Sequence, residues 1–98
     1  MAHRVVIRPE AEDDIDAAFA WYEAERSGLG RDFAREISRC IDTIAGSPLL
    51  YAEIGGGVRR ALTNKFPFAV YYLTNEQESV VLAVLHCVRD PETWKGRK

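Results

Sequence analysis

The run Val80 to Leu85 is apolar at every position, and it constrains the fold more than any other stretch of this chain. With its β-branched content and a polar turn from Asn75 to Glu78 before it, the segment Ser79 to Cys87 reads as a strand. Strand alternation places Val80, Leu82 and Val84 on one face and Val81, Ala83 and Leu85 on the other. Both faces are apolar, so this strand is expected at the centre of a sheet that is covered twice.

The same stretch supplies neighbours for it. Val58 to Leu62 reads as a short strand led by Arg59 and Arg60, Asn64 to Pro67 as a tight turn, and Phe68 to Leu73 as a second strand rich in aromatic and β-branched residues. These three strands form an antiparallel meander. Alternation groups Arg60 with Val58 and Leu62 and makes it the more buried arginine of the pair, placed to meet a carboxylate or to serve a function.

Upstream, Arg4 to Arg8 is a brief apolar strand, and Pro9 stops it and suits a helix's first turn. Glu10, Glu12, Asp13 and Asp14 follow where the helix dipole favours negative charge. Ala11, Ile15, Ala18, Phe19 and Tyr22 recur at helical spacing to near Arg26, and Phe33, Ile37, Cys40, Ile41 and Ile44 give a second stripe to about Ala45. Ser27, Gly28 and Gly30 break the pattern between them. With no strand ahead of it, that glycine pair is a turn and no phosphate-binding loop. Leu49 to Gly57 is read as a glycine-rich connection. The expected architecture is α+β: a strand, an antiparallel helix hairpin on one sheet face, then three strands. Nothing in the sequence is left to cover the other face, which predicts a partner or a second copy there.

At 98 residues the chain is expected to be one domain, residues 1–98. The apolar run is far shorter than the roughly 20 residues of a membrane span. Met1 to Arg8 has no apolar core of a secretion signal, so the expected location is cytoplasmic. Cys40 and Cys87 are accordingly read as reduced thiols. His3, Cys40, His86 and Cys87 lack the paired spacing of a zinc site, and neither a metal nor a cofactor is expected. Residues 1–57 carry 6 arginines against 11 acidic residues; residues 58–98 carry 7 basic against 4 acidic. The sheet half is basic, which suits an anionic partner.

The run RRALTNKFPFAVYYL followed by VVLAVLHCVRDPETW, in this order of elements, resembles the RelE/ParE superfamily of type II toxin-antitoxin toxins. The run from Arg60 through FPFAVYY to LHCVRDPETW is most similar to the ParE branch, also called plasmid stabilisation proteins. The resemblance implies a small cytoplasmic toxin that is neutralised by a cognate antitoxin in a hetero-oligomer. The antitoxin segment would lie along the toxin and supply the missing cover. It also implies a target: ParE-like members are held to poison DNA gyrase, whereas RelE-like members cut messenger RNA in the ribosome.

RNA cleavage needs a base, an acid and cations gathered at one phosphate. The candidates are His86 as base or acid, Arg60, Lys65 and Arg89 as cations, and Tyr71 or Tyr72 as a further hydroxyl. His86 also reads as a structural histidine beside Val84. Cys87 stands where some nuclease members carry a second ring, and as a nucleophile it has no evident base. For antitoxin or target binding the candidates are Arg60, Lys65, Tyr71, His86, Arg89 and Trp94. Trp94 either packs over the sheet or anchors the antitoxin. The resemblance thus favours a toxin that acts by binding, with a ribosome-dependent endoribonuclease or an inactive binding module as alternatives.

Overall fold

The structure is a computed structural model that describes residues 3–98. Its elements are β1 (Arg4–Ile7), α1 (Pro9–Glu25), α2 (Leu29–Gly46), β2 (Glu53–Gly55), β3 (Val58–Leu62), β4 (Phe68–Thr74), β5 (Glu78–His86) and a 3-10 helix, Thr93–Arg97. The five strands form one mixed sheet in the order β1-β5-β4-β3-β2. β1 runs parallel to β5, and the remaining pairs are antiparallel. The doubly apolar strand is central, as its sequence demands. The α+β architecture is the one expected, with one strand more: Glu53–Gly55 pairs with β3 inside the stretch read as a connection.

Pro9 opens α1 and Gly28, at φ 90°, turns the chain into α2. Glu23 secures that turn: its carboxylate accepts the N–H groups of Gly28 and Gly30, two donors that the start of α2 leaves open. Gly30 is fixed by contact as well. A Cβ there would stand 2.8 Å from the Phe19 carbonyl oxygen, so only glycine lets the two helices approach this closely. α2 buries Phe33, Ile37, Cys40 and Ile44, whereas α1 buries only Ala11 and Ala18 and leaves Phe19 partly exposed. α1 therefore sits close on β5 through small residues. At one end of this layer Tyr22, Phe33, Phe66 and Phe68 form an aromatic cluster with ring centroids 4.8–6.0 Å apart.

Two sequence expectations are corrected in the sheet. First, the alternation along β5 is interrupted. Tyr71 pairs with Ala83 and Tyr72 with Val81, which leaves Leu82 as the extra residue of a bulge. Val81 and Val84 consequently face the helices together, while Val80, Leu82, Ala83 and Leu85 all face the other side. Second, that other side has a cover. The C-terminal 3-10 helix lies on it, and Trp94, 7% exposed, stacks on Tyr71 at 5.9 Å with an interplanar angle of 12°.

The tail is held at the sheet edge by a pair that no sequence pattern announced. Arg97 bonds both carboxylate oxygens of Asp14, at 2.5 and 3.1 Å, and Arg8 donates to the Arg97 carbonyl at 2.6 Å. β1 ends before β5 does, so the edge of β5 beyond it would present bare peptide groups. Asp14 accepts from the Val84 N–H and Arg97 donates to the Leu82 carbonyl, closing two of them. The acidic start of α1 is therefore more than dipole chemistry: Asp14 joins helix, strand and tail.

Candidate functional site

The residues singled out from the sequence fall into three places. His86 and Arg89 lie on the helix side, in a groove between α1 and the end of β5. Arg60, Tyr71 and Trp94 lie on the tail side of the sheet, and Lys65 stands exposed on the β3–β4 turn.

The groove has a volume of about 500 Å³. α1 gives it Ala17, Ala18, Trp21 and Tyr22; Pro67, Phe68 and Val84 form its sheet wall; His86, Arg89 and Asp90 stand at its mouth. The small alanines leave the space, and the aromatic cluster fixes Tyr22 and Phe68 around it. Burial pushes the Tyr22 phenol above its ordinary range, and the Arg89 charge works against that shift. Trp21 meets Tyr22 edge-on and remains 55% exposed.

His86 has its own structural work here. It is opposite Phe68 in the register, with ring centroids 5.4 Å apart, and its Nδ1 accepts the N–H groups of Val88 and Arg89 at 3.1 and 3.0 Å. Two donors on Nδ1 put the proton of a neutral ring on Nε2. Asp90 N–H donates to the His86 carbonyl, so side chain and backbone of this one residue tie the turn that follows β5. Arg89 pairs with Asp90 at 3.3 Å in the open, an interaction of small energy.

On the opposite face Arg60 pairs in register with Tyr71, and Tyr71 with Ala83. Arg60 is exposed, which corrects the expectation that it is the more buried arginine. On this face the cover reaches Val58 at the start of β3, which is fully buried, but not Arg60 or Leu62 further along it, the latter 57% exposed. Arg59 takes the half-buried position instead, donating to the Tyr51 carbonyl at 2.6 Å. Tyr71 is 1% exposed beneath Trp94, and burial foremost raises its phenol pKa. The Tyr72 hydroxyl donates to the Pro48 carbonyl at 2.6 Å on the helix side. Trp94 is buried over the sheet, with Nε1–H donating to the Pro91 carbonyl.

His86 and Arg60 therefore lie on opposite faces. Their register positions on β4, Phe68 and Tyr71, are three residues or about 10 Å apart along the strand, and their own strands are two spacings or about 10 Å apart across the sheet. The thiols are equally dispersed: Cys40 is buried and pushed up to about 11, by desolvation first and Glu36 second, while Cys87 packs on the tail side. Among the described residues no group of three or more His, Cys, Asp or Glu side chains could hold a metal ion, and no helix is long and apolar enough to cross a membrane.

Sequence reasoning passed over Trp21 and Arg97 and read Asp14 only as a helix-start charge. Trp21 carried a faint signal, a large aromatic off the apolar stripe of its helix; Asp14 and Arg97, 83 residues apart, carried none.

Comparison with solved structures finds a chain described as "Chromosomal ParDE TA system from P. aeruginosa", with a TM-score of 0.77 and 16% identity, covering 87% of this chain and 96% of that one. At that identity the likeness is one of fold. A search of curated proteins found no match. The profile of the family described as "ParE toxin of type II toxin-antitoxin system, parDE" matches residues 5–91, from β1 to the turn that ends at Pro91. That span holds the sheet, the helix hairpin and the groove, and the chain belongs to the ParE toxin family of type II toxin-antitoxin systems.

Proposed function

We propose that this chain is a cytoplasmic toxin that arrests growth by binding and poisoning DNA gyrase, and that a cognate antitoxin holds it inactive in a hetero-oligomer. The observation that carries the choice against RNA cleavage is the separation of His86 from Arg60. Cleavage needs a proton-transfer group and a cation within hydrogen-bond reach of one phosphate. The sheet stands between these two; of the cations named for cleavage only Arg89 shares the groove mouth with His86, where it pairs with Asp90, and the Nδ1 of His86 is already engaged by two backbone amides. A toxin that works by occupying its target needs no such convergence, only surface.

The test is pulse-labelling of DNA and protein synthesis in a bacterial host in the minutes after the chain is induced without an antitoxin. DNA synthesis should fail first, and purified gyrase incubated with the chain should accumulate cleaved DNA. His86→Ala should remain toxic once expressed at the wild-type level. Early failure of protein synthesis, lost in His86→Ala, would sink the proposal in favour of the nuclease.

A further inference from the structure

The turns at the two ends of β5 are closed in the same way by different residues. Ahead of the strand, Asn75 Oδ1 accepts the N–H groups of Gln77 and Glu78 at 2.8 and 2.9 Å. Behind it, His86 Nδ1 accepts those of Val88 and Arg89 at 3.1 and 3.0 Å, again two and three positions along the chain. Covalent geometry explains the match: Oδ1 of an asparagine and Nδ1 of a histidine each stand one bond beyond Cγ, so an imidazole can close a turn of the kind that asparagine closes. The two acceptors differ in one respect. An amide oxygen accepts at any ordinary pH, whereas an imidazole nitrogen accepts only while the ring is neutral.

We propose that His86 makes the turn after β5 a pH-sensitive latch, closed while the ring is neutral and opened when it is protonated. The neutral ring carries its proton on Nε2, so an added proton can go only to Nδ1. There it meets two N–H donors at hydrogen-bond distance, and both bonds are replaced by contacts between donors. No free carboxylate stands by to favour the charged ring. α1 presents Asp14 and Tyr22 to the groove, and Asp14 is held by Arg97 while the Tyr22 phenol, raised by burial, is uncharged. β4 presents the uncharged ring of Phe68. The turn presents Arg89 and Asp90, which pair with each other, and Cys87 packs on the other face of the sheet. Opening is local. The exposed N–H groups of Val88 and Arg89 pass to water, the bond from Asp90 N–H to the His86 carbonyl needs no imidazole, and the tail keeps its attachments at Tyr71 and Asp14. What the proton releases is the segment from Cys87 to Pro91, which holds Arg89 and Asp90 at the groove mouth and carries Val88, 80% exposed. The latch is therefore whole at neutral and alkaline pH and lost as the pH falls through the titration of the ring, and this holds whatever the chain binds.

The test is amide exchange of the intact 15N-labelled chain between about pH 8 and about pH 5, corrected for the intrinsic pH dependence of exchange, with the His86 ring followed in the same samples. At pH 8 the ring nitrogens should show a bare Nδ1 and a protonated Nε2. On acidification the protection of the Val88 and Arg89 amides should fall about tenfold, with the midpoint of the ring's own titration. Gln77 and Glu78, closed by an acceptor that does not titrate, should keep theirs, as should the Trp94 indole. His86→Asn should keep Val88 and Arg89 protected at both ends of the range, and His86→Ala at neither. A proton on Nδ1 at pH 8, a ring that stays neutral to pH 5, protection that survives its charging, an equal loss at Gln77 and Glu78, or a pH step that persists in His86→Asn would each overturn the proposal.

Discussion

Asp14 and Arg97 should be coupled far more strongly than a surface ion pair. The guanidinium and carboxylate meet through two hydrogen bonds, and their side chains are 21% and 15% exposed. Exposed pairs contribute about 0.2–1 kcal/mol, whereas breaking a fully buried pair costs about 3–5 kcal/mol. Asp14→Ala leaves a largely desolvated guanidinium and also strips the Val84 N–H of its acceptor, so a loss of about 2–3 kcal/mol is expected. Asp14→Asn keeps an acceptor for that N–H and should lose only about 1–1.5 kcal/mol. Arg97→Gln should lose about 2 kcal/mol, and the Asp14→Ala, Arg97→Gln double variant little more than Asp14→Ala alone, a coupling of about 1.5 kcal/mol. Urea unfolding followed by circular dichroism measures each of these, and the coupling should persist at high salt because the pair is shielded from ions. Additive single losses, with coupling under about 0.3 kcal/mol, would refute the claim that this pair clamps the tail to the edge of β5.

Trp94→Ala should cost about 3 kcal/mol in the same assay, because it uncovers Tyr71 and removes the stacked ring; a loss under about 1 kcal/mol would mean that the tail is no real cover. Gly30→Ala should cost about 1–3 kcal/mol, since a Cβ 2.8 Å from the Phe19 carbonyl forces α1 and α2 apart, and an unchanged urea midpoint would count against that contact. Stability should also decline in alkali: the unfolded Cys40 thiol releases its proton near 9 and the folded one near about 11, so its contribution is whole below 9 and lost as the pH rises through about 11. Tyr71 and Tyr72, raised by burial, add to the loss with the same sign, and a midpoint that does not move between about pH 8 and pH 10.5 would contradict both.

The helix hairpin was legible because its apolar spacing, its opening proline and its glycine break are local signals that tertiary packing did not override. β5 was legible as central because both its faces are apolar. β2 was not, since three residues ending in glycine carry no alternation, and the strand exists only because β3 folds back beside it. The second cover escaped for a related reason. A single tryptophan in a polar tail gives no periodicity, and its burial depends on a clamp whose halves are 83 residues apart. Arg60 was misjudged through the same gap, because burial on that face depends on where the cover lies, and along β3 it takes in Val58 but not Arg60 or Leu62.

The candidate site was legible as a set of residues but not as a place, and the bulge at Leu82 is the reason. Val80 is opposite Leu73, on the tail side, which is also the side of Tyr71 and Arg60. Had the strand alternated without interruption from there, Val84 and His86 would lie on that side too, and His86 would join the cationic, aromatic set from which a nuclease site could be assembled. One looped-out residue reverses the parity, sends Val84 to the helix core and delivers His86 to the groove, where its Nδ1 ties a turn. Alternation in the sequence cannot report this, because Leu82 is as apolar as the residues around it and the run from Val80 to Leu85 looks the same with or without a bulge. The feature that made the strand easy to recognise is the one that hid which way its last residues point.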